Sequence, residues 1–370
     1  MLIGIDASRA VTAHPTGTEI YSQRIIEALL ALGSLHRFRL YLRGTAPSGV
    51  FPGAERRVIT LPRLWTHLRL SWEVAHHPPD ALFIPAHVLP LVHPHASLVT
   101  VHDLGYLYFP EAHPWRQRLY LDLSTRWNAR AAAHLLADSE ATKADLVARY
   151  SIPPGKITVV YPGRNERLAP VRDQARVEAV KAHYGITGDY FLYLGTLQPR
   201  KNLSRLIAAF ATLKTETVLV LAGKHGWLYK DLFAQVRHLG LEGPALSSAA
   251  GRVIFPGYIP DENKAALLSG ALAFTFPSLY EGFGLPVLEA QACGCPVITS
   301  ITSSLPEVAG DAALMVDPSD TRAIAAGMQR IVTDPALRDR LIERGFANVR
   351  RFSWTACAQS ALSVIEQSVV

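Results

Sequence analysis

The chain has 370 residues, 49% of them apolar and 18% charged, which is more than one hydrophobic core usually serves and predicts two domains. No run of 18 apolar residues occurs and the opening MLIGIDASRA lacks a basic-then-apolar layout, which argues against a spanning helix or a secretory leader and predicts a cytoplasmic protein. Cys293, Cys295 and Cys357 are too few for a disulfide framework and read as small buried apolar residues, and a net charge of +6 without a zinc finger, RNA-binding aromatics or a long basic block excludes nucleic acid.

Short apolar or β-branched runs alternate with helical stretches, the pattern of parallel sheets covered on both faces. The predicted strands of the first half are Leu2–Ile5, Phe38–Leu42, Ala81–Ile84, Leu98–Val101, His134–Ala137 and Ile157–Val160, with a helix over Glu19–Leu32. Residues 163–185 contain Pro170 and several charges and read as a linker without a strand. The pattern then restarts with strands at Tyr190–Leu194, Thr217–Leu221, Val253–Phe255, Ala273–Phe276, Pro296–Ile298 and Ala313–Val316. Phe352–Gln367 is a helix pattern that returns to the first domain. The expected fold is α/β, with Rossmann-like doubly wound domains over 1–170, joined by the helix 354–370, and over 171–353. A dinucleotide dehydrogenase needs G-x-G-x-x-G after its first strand. Asp6-Ala7-Ser8-Arg9 and Gly195–Asn202 both lack it, which excludes nicotinamide and flavin chemistry.

The most informative segment is Glu281-Gly282-Phe283-Gly284-Leu285-Pro286-Val287-Leu288-Glu289-Ala290. It follows a predicted buried strand, and Pro286 suits the first turn of a helix ending at Gly294. A glycine-containing loop feeding a helix N-terminus points backbone N–H groups at an anion. Glu281 and Glu289 reach opposite ends of one extended ligand, up to ~10 Å apart, and carboxylates suit vicinal hydroxyls such as those of a hexose and a ribose. Arg200 and Lys201, after the first strand of the second half, offer a fork and a point charge to a diphosphate.

The spacing Glu281…Glu289 resembles the E-x7-E signature of retaining glycosyltransferases of family 4, with the GT-B fold of two Rossmann-like domains facing across a cleft. Gly195…Arg200-Lys201-Asn202, Pro256-Gly257-Tyr258-Ile259-Pro260, Cys295-Pro296-Val297-Ile298 and Leu305–Ala313 are similar to family segments in the same order. The likeness is strong over 190–320 and diffuse before about residue 95. It implies a nucleotide-diphospho-sugar donor in the second domain and an acceptor in the first. Glu289 then holds the ribose and Glu281 the donor sugar. The amides of Gly282, Phe283, Gly284 and Leu285 hold sugar and diphosphate, Arg200 and Lys201 neutralise the leaving diphosphate, and Tyr258 and Ile259 lie near the base. No cofactor is implied. No D-x-D pair suited to Mg²⁺ stands out, so metal-independent turnover is expected.

In the first domain, Val99-Thr100-Val101-His102-Asp103-Leu104 puts His102 and Asp103 at a strand end, where such sheets bind ligands. The resemblance implies that His102 touches the donor sugar; Asp103 either orients His102 or meets the acceptor. The loop Thr16-Gly17-Thr18-Glu19 resembles the family's glycine loop, with Gly17 and Thr18 at the donor phosphate, although it has one glycine where many members have more. Tyr21 is expected to read the acceptor. Ser139 also fits the family text, with helix capping as the plainer reading.

The expected chemistry is transfer of a hexosyl group by front-face displacement, with GDP-mannose favoured over UDP- or dTDP-sugars and a glycan or lipid-linked acceptor. Two alternatives share the fold: a sugar-nucleotide epimerase and an inactive sugar-nucleotide-binding paralogue. Residues 1–180 hold 20 Lys and Arg against 15 Asp and Glu, whereas the rest hold 17 against 16. With that bias, the mixed segment Leu61–Trp72 is compatible with docking on an anionic bilayer and equally with an amphipathic helix against the core.

Overall fold

Among the described residues every strand pairing is parallel. The computed structural model describes residues 1–370 except 13–16, 45–48, 61–64, 87, 111–113, 227–228, 243–251 and 370. It divides into one unit of Met1–Gly163 with Phe352–Val370 and a second of Arg164–Arg351.

The first unit runs β1 (Leu2–Asp6), α1 (Gly17–Ala31), β2 (Arg37–Leu42), β3 (Glu55–Val58), a π-helical turn at Trp65–Leu70, α2 (Ser71–His76), β4 (Ala81–Ile84), β5 (Ala96–Val101), α3 (Gly105–Tyr108), α4 (Trp115–Ala131), β6 (His134–Ala137), α5 (Glu140–Tyr150) and β7 (Ile157–Val159). Its sheet has the order β3-β2-β1-β4-β5-β6-β7. All residues of β4 and β5 are buried, as continuous apolar runs in a parallel sheet require. β3, with the sequence ERRV, was not expected. It is an edge strand held by ion pairs from Glu55 to Arg39 at 3.1 Å and Arg57 at 3.0 Å, so it needs no apolar face.

The second unit runs α6 (Gln174–His183), β8 (Tyr190–Leu194), α7 (Leu203–Ala211), β9 (Val218–Ala222), α8 (Lys230–His238), β10 (Arg252–Gly257), α9 (Asp261–Ser269), β11 (Ala273–Phe276), α10 (Leu285–Ala292), β12 (Val297–Ser300), α11 (Leu305–Ala309), β13 (Leu314–Val316), α12 (Thr321–Thr333) and α13 (Pro335–Asn348). Its sheet order is β10-β9-β8-β11-β12-β13. α6 lies inside the expected linker. Asp173 caps it, accepting from the amides of Ala175 at 3.0 Å and Arg176 at 3.3 Å, and Val177 is its one buried residue among those described, too little apolar periodicity to read.

α14 (Trp354–Val369) returns to the first unit and packs Ala358, Ala361 and Ile365 into the core it shares with α1. Gly163 makes the return possible, because a Cβ there would overlap the backbone and ring of Trp354.

In each sheet the strand order reverses once, between β1 and β4 and between β8 and β11. The crevice at the carboxyl ends of such strands is where doubly wound sheets take ligands. The residues after β8 and β11 are Gly195–Lys201 and Pro277–Glu281.

Candidate functional site

After β8 the chain makes a short turn, Pro199–Lys201, and Asn202 takes a left-handed conformation at φ 62°. Its side-chain Nδ2 donates to the carbonyls of Pro277 at 3.0 Å and Pro318 at 2.7 Å, which pins the turn to the end of β11. The Leu279 amide answers with a bond to the Arg200 carbonyl at 2.8 Å. The two basic side chains are thereby aimed at one carboxylate. Arg200 Nη1 donates to Glu281 Oε2 at 2.9 Å and to the Tyr280 carbonyl at 2.8 Å, and Lys201 Nζ donates to Glu281 Oε1 at 2.5 Å. Lys201 Nζ also lies 4.8 Å from the centroid of the Phe276 ring.

Glu281 is 7% exposed. Burial raises its pKa, but Arg200 and Lys201 oppose it and hold the carboxyl at about 2. The trio carries one net positive charge. Ser303 accepts from the Glu281 amide at 2.9 Å, and Ser304 donates to the Phe283 carbonyl at 2.6 Å and to the Glu281 carbonyl at 2.9 Å, so the loop is braced from behind. Gly284 follows at φ 118°, and a Cβ there would stand 2.9 Å from Leu305 Cδ2. α10 starts at once with Leu285 and Pro286, presenting the amide end of a helix beside the cationic trio.

Glu289, farther along α10, faces Lys264 of α9 at 3.5 Å, and Lys264 also reaches Asp261 at 3.2 Å. Burial raises the Glu289 pKa and Lys264 opposes the rise. Glu281 and Glu289 thus occupy different electrostatic settings, one locked as an anion and one less so. Tyr258, just past β10, is 58% exposed, with Lys224 Nζ 5.3 Å from its ring centroid. Ile259, beside it, is 4% exposed and packs its side chain into the core.

In the first unit, Val101 pairs with Ala137, so the residues that follow them are neighbours. His102 Nδ1 lies 2.6 Å from Asp138 Oδ2 and Nε2 lies 2.9 Å from the Pro85 carbonyl. Both ring nitrogens face acceptors, which the doubly protonated ring satisfies. Burial disfavours that charge, but Asp138 outweighs it and the His102 pKa is raised. A hydrogen bond from Nε2 to a sugar would replace the one to Pro85. Asp138, not Asp103, orients His102; Asp103 instead caps the turn at Gly105, accepting from its amide at 2.9 Å. A cavity of 280 Å³ opens here, lined by Thr18, Thr100, His102, Asp103, Tyr106 and Ser124 among others.

Two more expectations change. Gly17 and Thr18 form the first turn of α1 rather than a loop, and Thr16 lies outside the described residues. Tyr21 is 2% exposed and packs edge-on to His102 and Trp354, with its hydroxyl 3.4 Å from Thr100 Oγ1, so it is a core residue and does not line the cavity. Ser139 caps α5, accepting from the Thr142 amide at 3.0 Å. In the segment Leu61–Trp72, residues 61–64 lie outside the described ones, Trp65 and Leu70 are buried, and Leu68 and Trp72 are exposed.

Sequence reasoning missed Asp138, Lys264, Ser303 and Ser304. An acidic residue directly after the strand next to the one carrying His102 is a readable signal for Asp138. Nothing local marks Lys264. All three cysteines are buried and free. Among the described residues no group of three or more His, Cys, Asp and Glu is arranged to hold a metal ion, and no helix is long and apolar enough to cross a membrane.

Residues 184–347 match the model of glycosyl transferases group 1 and residues 16–163 that of a glycosyl transferase 4-like domain. The chain is 34% identical over 272 residues to the O-antigen chain mannosyltransferase B of Escherichia coli, covering 72% of this chain and 69% of that protein. It is 30% identical over 233 residues to the serotype-specific mannosyltransferase WbdA of Escherichia coli, spanning 62% of this chain but 28% of that relative. Among solved structures, sucrose-phosphate synthase from Thermosynechococcus elongatus superposes with a TM-score of 0.77 at 24% identity, over 99% of this chain and 98% of that one. An Anabaena protein in complex with UDP and glucose superposes with a TM-score of 0.75 at 18% identity, over 99% of this chain and 100% of that one. These likenesses identify the fold as GT-B.

Proposed function

The chain belongs to the group 1 glycosyl transferases, and from that premise we propose that it transfers a hexosyl group, mannose from GDP-mannose ahead of UDP- or dTDP-linked sugars, to a glycan or lipid-linked acceptor with retention of configuration and without a metal ion. The observation that carries the reading is the cluster Arg200–Glu281–Lys201 at the strand-order reversal, beside the N-terminus of α10. One net positive charge and a helix amide end suit a diphosphate; the carboxylate among them suits sugar hydroxyls. In this reading the amides of Gly282, Phe283, Gly284 and Leu285 hold the sugar and diphosphate, Glu289 the ribose and Tyr258 the base. His102, Gly17 and Thr18 approach the donor, and Asp103, beside the cavity, approaches the acceptor. The names of the curated relatives favour mannose.

Double displacement needs a nucleophilic carboxylate, and Glu281, bound to two cations with its pKa at about 2, is a poor one. Front-face attack fits better. The acceptor oxygen bonds to the anomeric carbon on the face that the diphosphate leaves, a departing phosphate oxygen takes the acceptor's proton, and Arg200, Lys201 and the helix amides stabilise the leaving group. We place the reaction in the cytoplasm, with the protein peripheral to a membrane.

Thermal-shift measurements with GDP, UDP, ADP and dTDP, with and without EDTA, test the donor assignment on the wild type and on Glu289→Ala. A rise with GDP that survives EDTA and is lost in Glu289→Ala supports it. A larger rise with UDP or dTDP moves the donor, and no rise with any nucleotide in a folded protein favours the inactive paralogue. Proton NMR of the product's anomeric signal separates retention from inversion.

A further inference from the structure

The cavity beside His102 is bounded, among the described residues, by the first unit alone, and the chemistry of its walls narrows what can enter. One wall is α4. Tyr106 Oη donates to Thr125 Oγ1 at 2.9 Å and Asn128 Oδ1 accepts from the Leu89 amide at 2.9 Å, which fixes the rotation of the helix about its axis. Tyr120 and Ser124, four residues apart and so on one face, are thereby both set in the cavity wall. Asp103, just after β5, joins the same lining.

The charge of the lining decides between ligand classes. Among its described residues there is no lysine or arginine, and His102 and Asp103 are the charged ones. The His102 proton is balanced by Asp138, 2.6 Å away, so Asp103 leaves the cavity with one net negative charge. Thr18 brings the amide end of α1, which carries about half a positive charge and does not reverse that sign. An acceptor phosphate inside the cavity would face a carboxylate with no cation to offset it. Hydroxyl groups meet the opposite situation. Asp103 Oδ1 is committed to the Gly105 amide at 2.9 Å, and its other oxygen can accept from a ligand. Ser124 adds a group that donates and accepts, and Tyr120, 51% exposed, offers a ring face to the C–H groups of a sugar. At 280 Å³ the cavity is at the small end of ligand pockets, which run from about 300 to 1,000 Å³, and has room for one sugar ring rather than two.

We propose that this cavity takes an uncharged terminal sugar of the acceptor, with Asp103 and Ser124 on its hydroxyls and Tyr120 against its ring, and that Asp103 is the residue that rejects acceptors phosphorylated on that sugar. The proposal rests on the transferase reading and narrows its acceptor: the chain extends the uncharged end of a glycan, and a sugar bearing its phosphate directly is refused.

The test is saturation-transfer NMR titration of the full chain, with and without GDP, using the methyl pyranosides of mannose and glucose, their 6-phosphates and the corresponding hexose 1-phosphates. Wild type should bind a methyl hexoside roughly tenfold more tightly than either phosphate. Asp103→Asn, which keeps an oxygen for the Gly105 amide, should narrow that gap to about threefold or less, and Tyr120→Ala should weaken the methyl hexoside severalfold with the wild-type melting temperature retained. A phosphate that binds wild type as tightly as the methyl hexoside overturns the proposal, as does a preference unchanged in Asp103→Asn. Failure of every sugar to bind a protein that still responds to a nucleotide in thermal shift overturns it too, and leaves the transferase reading standing. Loss of the nucleotide response itself is the separate result that strikes the transferase reading and the proposal with it.

Discussion

Glu281→Gln is the substitution that most directly tests the charged cluster. It keeps the side chain's size but leaves Arg200 and Lys201 facing each other with no anion between them, in a site where Glu281 is 7% exposed. Removing one partner of a buried ion pair costs about 3–5 kcal/mol. The pKa agrees: a carboxyl held at about 2 rather than near 4.5 corresponds to about 3 kcal/mol at neutral pH. For a unit of this size that lowers the melting temperature by about 10 °C. Because the folded pKa lies below the unfolded one, the contribution is complete above the unfolded value and is lost as pH falls from about 4.5 toward about 2. Scanning calorimetry at pH 7 and across the acid range measures both, with the transition of residues 164–351 identified by hydrogen exchange in β8 and β11. Adding Lys201→Met to Glu281→Gln should recover part of the loss, since one uncompensated cation goes with it. A Glu281→Gln transition within about 2 °C of wild type at pH 7, or a gap that stays constant down to pH 3, would refute the pairing.

Other substitutions read the supports of the site. Gly284→Ala forces a side chain into φ 118° and against Leu305, so stability should fall by about 1–3 kcal/mol and nucleotide-induced thermal shifts should shrink, checked by denaturant melts and thermal shift. Asn202→Ala removes two buried amide bonds and a side chain suited to the left-handed region; a loss of about 2–4 kcal/mol is expected in urea unfolding, with weaker nucleotide binding because the Arg200–Lys201 turn loosens. Asp138→Asn removes the main group that raises the His102 pKa, so the His102 titration, followed by NMR of the ring protons, should move to lower pH. The wild-type contribution of that pair is present below the unfolded histidine pKa and lost as pH rises through the folded one; in Asp138→Asn that dependence should flatten.

What was legible in the sequence is what is local. β4, β6, β8 and β11 sit where apolar runs predicted them, because strands buried on both faces leave no choice of residue type. β3 and α6 escaped for the opposite reason: an edge strand held by Glu55 ion pairs and a helix with one buried valine carry little periodic apolar signal. The E-x7-E segment could be read because strand, loop and helix follow within one stretch. Its partners could not. Lys201 meets Glu281 across 80 positions of sequence and Asp138 meets His102 across 36, and only the sheet order brings those strand ends together. α4 shows a further limit. Apolar periodicity marks which residues share a face, yet Trp115, Leu119 and Leu123 stay exposed while Leu121 and Trp127 pack against the core beside the hydrogen-bonded Thr125 and Asn128. The hydrogen bonds of Thr125 and Asn128, together with the packing of Leu121 and Trp127 against the core, set which face turns inward. Replacing Thr125 and Asn128 with leucine should therefore not turn the helix over: it would strand the Leu89 amide without its acceptor, leave the Tyr106 hydroxyl with Tyr150 alone and destabilise the first unit.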